Sequence, residues 1–189
     1  MESLFIKLAQ HSIIETERLV LRPVTLDDAE AMFEYASNQE NTRYTFPTNQ
    51  SLEETKNNIA QFYLANPLGR WGIELKSTGE FIGTIDLHKM DTVLKKAAIG
   101  YIIHQKYWNQ GLTTEANRAV IELAFEKIGM NKLDAFHDKD NPASGKVMEK
   151  SGMRFSHEEP YARMDKNEPG RFVTDVHYVL TKEDYFANK

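Results

Sequence analysis

A short turn, Asn109-Gln110-Gly111, joins an apolar run at residues 99–103 to a long helical pattern at residues 112–128. Gly111 allows the positive φ with which the chain can turn into the helix. The first N–H groups of a helix have no partner within it, and the helix dipole adds about half a positive charge at that end. A strand, a glycine turn and a bare helix start therefore indicate a site for an anion such as phosphate.

The start of this helix lacks the usual side-chain cap. Gly111 is the expected cap position and has no side chain, and Thr113 is followed at the third position by Ala116, so no capping box is in register. One interpretation is that the free amides bind phosphate. The alternative is that water, or the hydroxyls of Thr113 and Thr114, satisfies them.

Length and composition exclude several classes of protein. The 189 residues fit one domain, and we expect an N-terminal extension over residues 1–14 and a single domain over residues 15–189. Cysteine is absent, which excludes disulfides, thiolate metal sites and a cysteine nucleophile. The net charge of -5, without a dense Lys/Arg cluster, argues against direct nucleic-acid binding. Residues 1–12 lack the apolar core of a signal peptide, and no run reaches the roughly 18 apolar residues of a membrane span, so we expect a cytoplasmic protein without a membrane partner.

Hydrophobic periodicity predicts the order β-αα-βββ-α-β-α-ββ, which is a mixed α/β fold. Antiparallel strands come first, and one β-α-β crossover follows them. The two regular βαβ halves of a Rossmann sheet are absent. The predicted strands cover residues 16–23, 70–76, 80–88, 97–103, 132–137, 153–164 and 171–180, and the predicted helices begin at Thr25, Ser51, Leu112 and Asn141.

An ordered set of motifs, spread over nearly the whole chain from Glu15, resembles the GNAT superfamily of N-acetyltransferases. More narrowly, the set is similar to the RimJ/RimL-type ribosomal-protein alanine acetyltransferase branch. The motifs are Glu17-Arg18-Leu19-Val20-Leu21-Arg22-Pro23, Ile82-Gly83-Thr84-Ile85, Ile99-Gly100-Tyr101, Tyr107-Trp108, Gly111 through Glu115-Ala116, Asn141-x-x-Ser144, Val147-Met148-Glu149-Lys150-x-Gly152-Met153 and Asp175-Val176.

The resemblance implies a twisted, mostly antiparallel sheet of about seven strands, flanked by four helices, with a splayed central strand pair. It also implies acetyl-CoA as co-substrate. The pantetheine arm is expected on the backbone of Ile102 and Ile103, with Asn141 beside the arm and Ser144 near the thioester sulfur. The diphosphate is expected on the turn and the helix start, which comprise Trp108, Asn109, Gln110, Gly111, Leu112, Thr113 and Thr114. An alternative for Trp108 is that it only anchors the loop.

Three positions depart from the family pattern, two in the loop and one in the strand before it. The loop usually has another Gly or a small residue where this chain has Asn109 and Thr113. The strand before the loop often carries a glutamate at the position of Ala98, so a base that the family often uses is missing. The missing glutamate is the best support for an alternative function, that of a non-catalytic acyl-CoA sensor.

Acetyl transfer needs a neutral amine, a polarised carbonyl and a proton for the leaving thiolate. We expect Ser144 to donate that proton; the alternative is that it only makes local hydrogen bonds in the first turn of its helix. Asn141 is expected to cap the same helix. Asp86 and His88 are the candidate bases, with His137 as a third, and each has the alternative of being an ordinary surface or edge residue.

The acceptor is expected to be a primary amine that attacks directly in a ternary complex. An α-amine, with a pKa near ~8, is about one-tenth neutral at pH 7, whereas a lysine is far less so. We therefore favour a protein N-terminus or an amino-acid-like amine, with polyamine or antibiotic amines as the alternative. The six histidines form no H-x-x-x-H pair, so we expect no metal. A homodimer is left open.

Overall fold

The computed structural model describes residues 3–189, which build one eight-stranded sheet in the order β1-β2-β3-β4-β5-β6-β8-β7. The neighbours pair antiparallel except β5 and β6, which pair in parallel. The strands are β1 Ile14–Glu15, β2 Leu19–Arg22, β3 Arg70–Leu75, β4 Phe81–Asp91, β5 Lys96–Ile103, β6 Lys132–Asp138, β7 Arg154–Met164 and β8 Phe172–Thr181.

Helices cover both faces of the sheet. Ile99 and Ile103 of β5 belong to a large hydrophobic core, whereas Ile102 packs against a smaller one, so the two cores lie on opposite faces. The α-helices are α1 Leu4–Gln10, α2 Ala29–Ala36, α3 Gln39–Thr42, α4 Leu52–Asn58, α5 Leu112–Glu122, α6 Pro142–Lys150 and α7 Lys182–Ala187. Helices α4 and α5 continue as π-helical segments, Ile59–Leu64 and Leu123–Ile128.

The predicted fold class is confirmed, with three short helices and one strand beyond the prediction. Strand β1 is only two residues long, so it has too few residues to show a period of two. Helices α3 and α7 are short and begin at the capping side chains of Asn38 and Thr181. Helix α1 buries Leu4 and Leu8 in the large core. The boundary of the extension at residue 14 stays a prediction.

The central feature of the sheet is a gap between β5 and β6. The two strands pair at Lys96–Lys132, Ala97–Leu133 and Ala98–Asp134. Past these rungs β5 runs on to Ile103 and β6 to Asp138, and within residues 3–189 no further rung joins them. The predicted splayed strand pair is therefore present, and it opens toward the start of α5.

Candidate active site

The turn before α5 has the geometry of an exposed set of amides. Asn109 and Gly111 take φ values of 59° and 77°, and Gly111 is the residue that caps the helix without a side-chain hydrogen bond. Helix α5 buries Leu112 and Ala116 in the large core, which fixes the direction of its axis. The end of α5 that carries the free N–H groups therefore faces the mouth of the gap.

Arg18 and Glu115 brace this turn against the edge of the sheet. The Glu115 carboxylate accepts hydrogen bonds from the Thr16 hydroxyl (2.6 Å), the Arg18 N–H (2.8 Å) and Arg18 Nε (2.7 Å). Arg18 Nη1 also donates to the Gln110 carbonyl at 3.0 Å. Burial alone would raise the pKa of Glu115, but these hydrogen bonds and the Arg18 charge lower it below its ordinary value. The sequence analysis did not select Arg18, although it lies in the first motif.

Trp108 ties the turn to the end of β5. Its indole N–H donates to the Ile103 carbonyl at 3.0 Å, and the Asn41 side chain donates to the same oxygen at 3.1 Å. Asn41 also accepts a hydrogen bond of 2.6 Å from the N–H of Gln105. The indole of Trp108 therefore anchors the loop, and the Ile103 carbonyl already has partners.

The register of β5 decides which backbone groups face the gap. Ile102 lies opposite Thr84 of β4, and His104 N donates to the Ile82 carbonyl at 2.7 Å. Because backbone groups alternate along a strand, those of Ile102 point toward β4, whereas those of Tyr101 and Ile103 point into the gap. The expected backbone contact at Ile102 thus faces the neighbouring strand, and Tyr101 is a gap-facing residue that the sequence analysis missed.

Tyr101 and Ser144 meet across the gap. The Ser144 hydroxyl donates to the Tyr101 oxygen at 3.2 Å, and the Tyr101 hydroxyl donates to the Ser144 carbonyl at 2.9 Å. Burial raises the pKa of Tyr101, and the hydrogen bond with Ser144 offsets only part of that rise. The Ser144 hydroxyl therefore points toward β5 rather than along its own helix, as its predicted role requires.

Asn141 does not cap α6 as expected. The helix begins at Pro142, and within the described chain the Asn141 side chain makes no capping hydrogen bond. Asn141 takes φ -112° and ψ 66°, which is not the extended conformation usual for a capping residue. The proline at the first helical position presets the backbone there, so the cap is not needed to start the helix.

His137 is set apart from the other two candidate bases. It is buried, its Nδ1 lies 2.7 Å from the Asp138 carbonyl, and a side chain at Gly145 would meet its Nε2 at 2.6 Å. Leu133 and Ala135, which precede it on β6 by even steps, belong to the large core. His137 therefore lies on the large-core face of the sheet.

Asp86 and His88 form a pair on the opposite face. His88 Nδ1 lies 3.0 Å from Asp86 Oδ1, and the two side chains are 29% and 31% exposed. They stand opposite Gly100 and Ala98 of β5, and a Cβ at Gly100 would come within 3.1 Å of both. With Asp86 ionised, Nδ1 of a neutral His88 donates to the carboxylate, which leaves Nε2 as a proton acceptor.

Within residues 3–189, no group of three or more His, Asp or Glu side chains is placed to hold a metal ion. The same part of the chain contains no helix that is long and apolar enough to cross a bilayer. Three sets of polar groups described above lie around the gap: the uncapped amides before α5, the Ser144–Tyr101 pair and the Asp86–His88 pair.

Comparison with known proteins finds relatives over most of the chain. The model of the Acetyltransferase (GNAT) domain matches residues 18–154. The uncharacterized N-acetyltransferase YoaA of Bacillus subtilis is 38% identical over 146 residues, 75% of this chain and 82% of YoaA. YdaF of the same organism, named as a candidate ribosomal N-acetyltransferase, is 34% identical over 120 residues, 62% of this chain and 64% of YdaF. The structure of a GNAT-family acetyltransferase from Bacillus anthracis has a TM-score of 0.81 at 26% identity, and the match covers 90% of this chain and 99% of that one.

Proposed function

Because the chain belongs to the GNAT acetyltransferase family, we propose that it moves the acetyl group of acetyl-CoA to the α-amine of a protein N-terminus or of an amino-acid-like molecule. The GNAT resemblance found in the sequence is confirmed, and the chain is an N-acetyltransferase. The ribosomal N-acetyltransferase name of YdaF supports the RimJ/RimL-type branch. The observation that carries the finer proposal is the β5–β6 gap, with bare amides at its mouth and an aspartate–histidine pair on its far face.

The residues around the gap fit acetyl-CoA. The uncapped amides of residues 109–114 would hold its diphosphate, with the Arg18 guanidinium beside them. Within residues 3–189, the backbone of Tyr101 and the N–H of Ile103 have no strand partner on the gap side, and the Asn141 amide is not used for capping. When bound, acetyl-CoA supplies an activated acetyl group as a thioester.

The side chains divide the proton transfers between the two sides of β5. The amine nitrogen bonds to the acetyl carbon as the carbon–sulfur bond breaks, so one proton leaves the amine and one goes to the thiolate. Nε2 of His88, oriented through Nδ1 by Asp86, accepts the first proton directly or through water. The Ser144 hydroxyl supplies the second, and Tyr101 holds that hydroxyl toward the gap.

An α-amine suits this arrangement better than a lysine side chain. The glutamate that often serves as base in the family is replaced by Ala98, so deprotonation of the amine rests on the partly exposed His88. An amine with a pKa near ~8 needs less help to become neutral than one near ~10.4. Polyamines and other small alkylamines are the alternative acceptors, because their amines are harder to neutralise.

A thermal-shift titration tests the co-substrate. Acetyl-CoA at 100 times its Kd should add about 2.7 kcal/mol of stability, which raises Tm by about 5–10 °C for a chain of this size. The matched control is Arg18→Gln, which removes the cation beside the turn and should weaken the shift. No shift in the unaltered protein would refute acetyl-CoA binding.

Measurement of free-thiol release with a panel of acceptors tests the acceptor class. Peptides with a free N-terminal alanine or serine and amino-acid amides should react faster than N-acetylated, lysine-containing peptides and spermidine. A higher rate with the lysine peptides would overturn the α-amine assignment. Acetyl-CoA binding without turnover across the whole panel would instead favour the sensor role that the missing glutamate suggests.

A further inference from the structure

Three strands form a shallow groove on the sheet face opposite the large core. Every second residue of β4, β5 and β6 points into the large core, so the residues between them point to the groove side. The floor of the groove, on β5, has small residues, and its edges, on β4 and β6, have polar or aromatic side chains. The core-facing residues are Ile85, Leu87, Ala97, Ile99, Leu133 and Ala135, and the groove-facing residues are Asp86, His88, Ala98, Gly100, Asp134 and Phe136.

An amine of the protein itself already lies in this groove. Lys89 of β4 takes φ 49° at a register shift in its strand, and its Nζ lies 5.0 Å from the centre of the Phe136 ring. Since β5 runs between β4 and β6, the Lys89 side chain crosses β5 on the way. The small Ala98 side chain leaves room for that crossing, which a glutamate at this position would narrow, and the missing side chain of Gly100 makes room for the Asp86–His88 pair.

The strands on both sides of the groove carry carboxylates, whose negative charge favours a cation. The Asp86 carboxylate lies on the β4 side, where His88 is its partner. On the β8 side the His177 ring packs 5.7 Å from the Phe136 ring, and His177 Nε2 lies 3.1 Å from the Glu159 carboxylate. An ammonium over an aromatic face is favoured by the ring quadrupole. Asp134, the other groove-facing carboxylate, is paired with Lys132 at 2.8 Å, so Asp86 and Glu159, each with a histidine as its partner, supply the negative charge.

We propose that the face of Phe136 is the subsite for the ammonium form of the acceptor and that Lys89 occupies it in the free protein. This inference rests on the proposed amine acetylation, and it names the chemical class of ligand, a primary alkylammonium. The acceptor displaces Lys89, lies on Phe136, and gives up its ammonium proton to water as it moves to the gap, so that Nε2 of His88 stays free to accept the proton released on attack. Lys89 is therefore an internal competitor, and Phe136 is a binding residue outside the sequence-based prediction.

A binding measurement separates this subsite from catalysis. The probes are choline and its uncharged carbon isostere 3,3-dimethylbutan-1-ol, titrated by ligand-observed NMR. Lys89→Met removes the competing charge while keeping side-chain length, and it should bind choline about threefold to thirtyfold more tightly than the unaltered protein does. The double variant Lys89→Met/Phe136→Leu should lose that gain. The isostere should bind weakly and equally to every variant.

Matched controls keep the outcome unambiguous. Lys56→Met removes an exposed lysine of α4 far from the groove in sequence and should leave choline binding unchanged. The acetyl-CoA thermal shift, measured on each variant, reports that the fold and the co-substrate site are intact. No gain in Lys89→Met, or an equal gain for the uncharged isostere, would overturn the subsite.

Steady-state kinetics gives a second, independent test of the subsite. With alanine amide as acceptor, Lys89→Met should lower KM about threefold to thirtyfold with little change in kcat, since only the competitor is removed. An unchanged or raised KM would count against Lys89 as a competitor. If no amine reacts while choline binding still depends on Lys89 and Phe136, the acetylation proposal fails and the cation subsite stands.

Discussion

At the scale of single residues, the Tyr101 hydroxyl decides where the Ser144 proton points. The two oxygens are 3.2 Å apart, and Ser144 is the donor, because the Tyr101 proton is directed to the Ser144 carbonyl. Within an isolated helix a serine would turn its hydroxyl back to the preceding turn. The partner on β5 therefore holds Ser144 in the direction that a proton donor to the gap requires.

Ser144→Ala should lower kcat by about 100-fold, because the departing thiolate loses a positioned acid. Tyr101→Phe should lower kcat by about tenfold, because only the hydrogen bond that orients Ser144 is lost. Thiol-release kinetics measure both, and isothermal titration should give an acetyl-CoA Kd within about twofold of the unaltered value. We expect the double variant to be no slower than Ser144→Ala, since Tyr101 acts through Ser144.

A rate for Ser144→Ala equal to that of the unaltered protein would remove Ser144 from the mechanism. An additive loss in the double variant would mean instead that Tyr101 acts on its own.

At the scale of elements, β4 and β5 are held close together by a glycine. A Cβ at Gly83 would lie 2.3 Å from the Ile102 carbonyl oxygen and 2.8 Å from the Ile103 Cα, both of them backbone atoms. Gly83→Ala must therefore push the strands apart, and we expect a loss of about 2–3 kcal/mol of unfolding free energy. Urea denaturation followed by circular dichroism measures it.

The control for this substitution is Gly79→Ala in the β3–β4 turn. Gly79, unlike Gly83, has a positive φ, of 71°, and a Cβ there would meet nothing within 4 Å. Gly79→Ala should therefore lower the free energy of unfolding by only roughly 1 kcal/mol, the cost of placing alanine in a left-handed conformation. A loss at Gly83 no larger than that at Gly79 would show that β4 and β5 can move apart at little cost.

A second element, the β7–β8 hairpin, is joined to loop 42–48 through Asn167. The Asn167 amide donates to the carbonyls of Thr42 (3.1 Å) and Phe46 (3.0 Å), and its oxygen accepts from the N–H of Thr48 at 3.1 Å. The neighbouring Asn41 binds the end of β5. Loop 42–48 is thereby held between the end of β5 and the β7–β8 hairpin.

Asn167→Ala should release loop 42–48 from the hairpin. The Phe46 carbonyl and the Thr48 N–H lose their Asn167 partner, so hydrogen exchange at residues 42–48 should rise about tenfold, read by mass spectrometry of the peptides. Global stability should fall by only about 1–2 kcal/mol, because water can reach the freed groups. Asn57→Ala, which removes an acceptor for Gln61 on α4, is the control and should leave the loop unchanged. Unaltered exchange in Asn167→Ala would show that packing, not Asn167, holds the loop.

At the scale of the whole molecule, the sequence was sufficient to predict the order of helices and strands. It was not sufficient to predict which way their backbone and side-chain groups point. Strong periodicity and the Gly111 turn predicted β5, α5 and the crossover to β6, and the structure has them. Three features were not predicted: the direction in which the Ile102 backbone groups point, the Arg18–Glu115 brace and the Tyr101–Ser144 contact. Each depends on residues that are far apart in the chain. Such contacts depend on strand register and side-chain rotamers, and neither follows from local pattern.

The Arg18–Glu115 brace also predicts how stability changes with pH. The pKa of Glu115 is lowered in the fold: burial opposes this, but the hydrogen bonds from Thr16 and Arg18 outweigh it. A carboxyl whose pKa is lower when folded than when unfolded stabilises the fold above the unfolded value, near ~4.3. That contribution is lost as the pH falls through the folded value.

Urea denaturation of the unaltered protein and of Glu115→Gln, from pH 7 down to pH 3, tests this assignment. The unaltered protein should be the more stable at pH 7, and the difference should shrink steadily below about pH 5 as Glu115 becomes protonated. Glu17→Gln, on the same segment, should show no such trend, because no acidic residue but Glu115 receives the Arg18 guanidinium in residues 3–189. A difference that stays constant over this range would mean that Glu115 acts through packing rather than through charge.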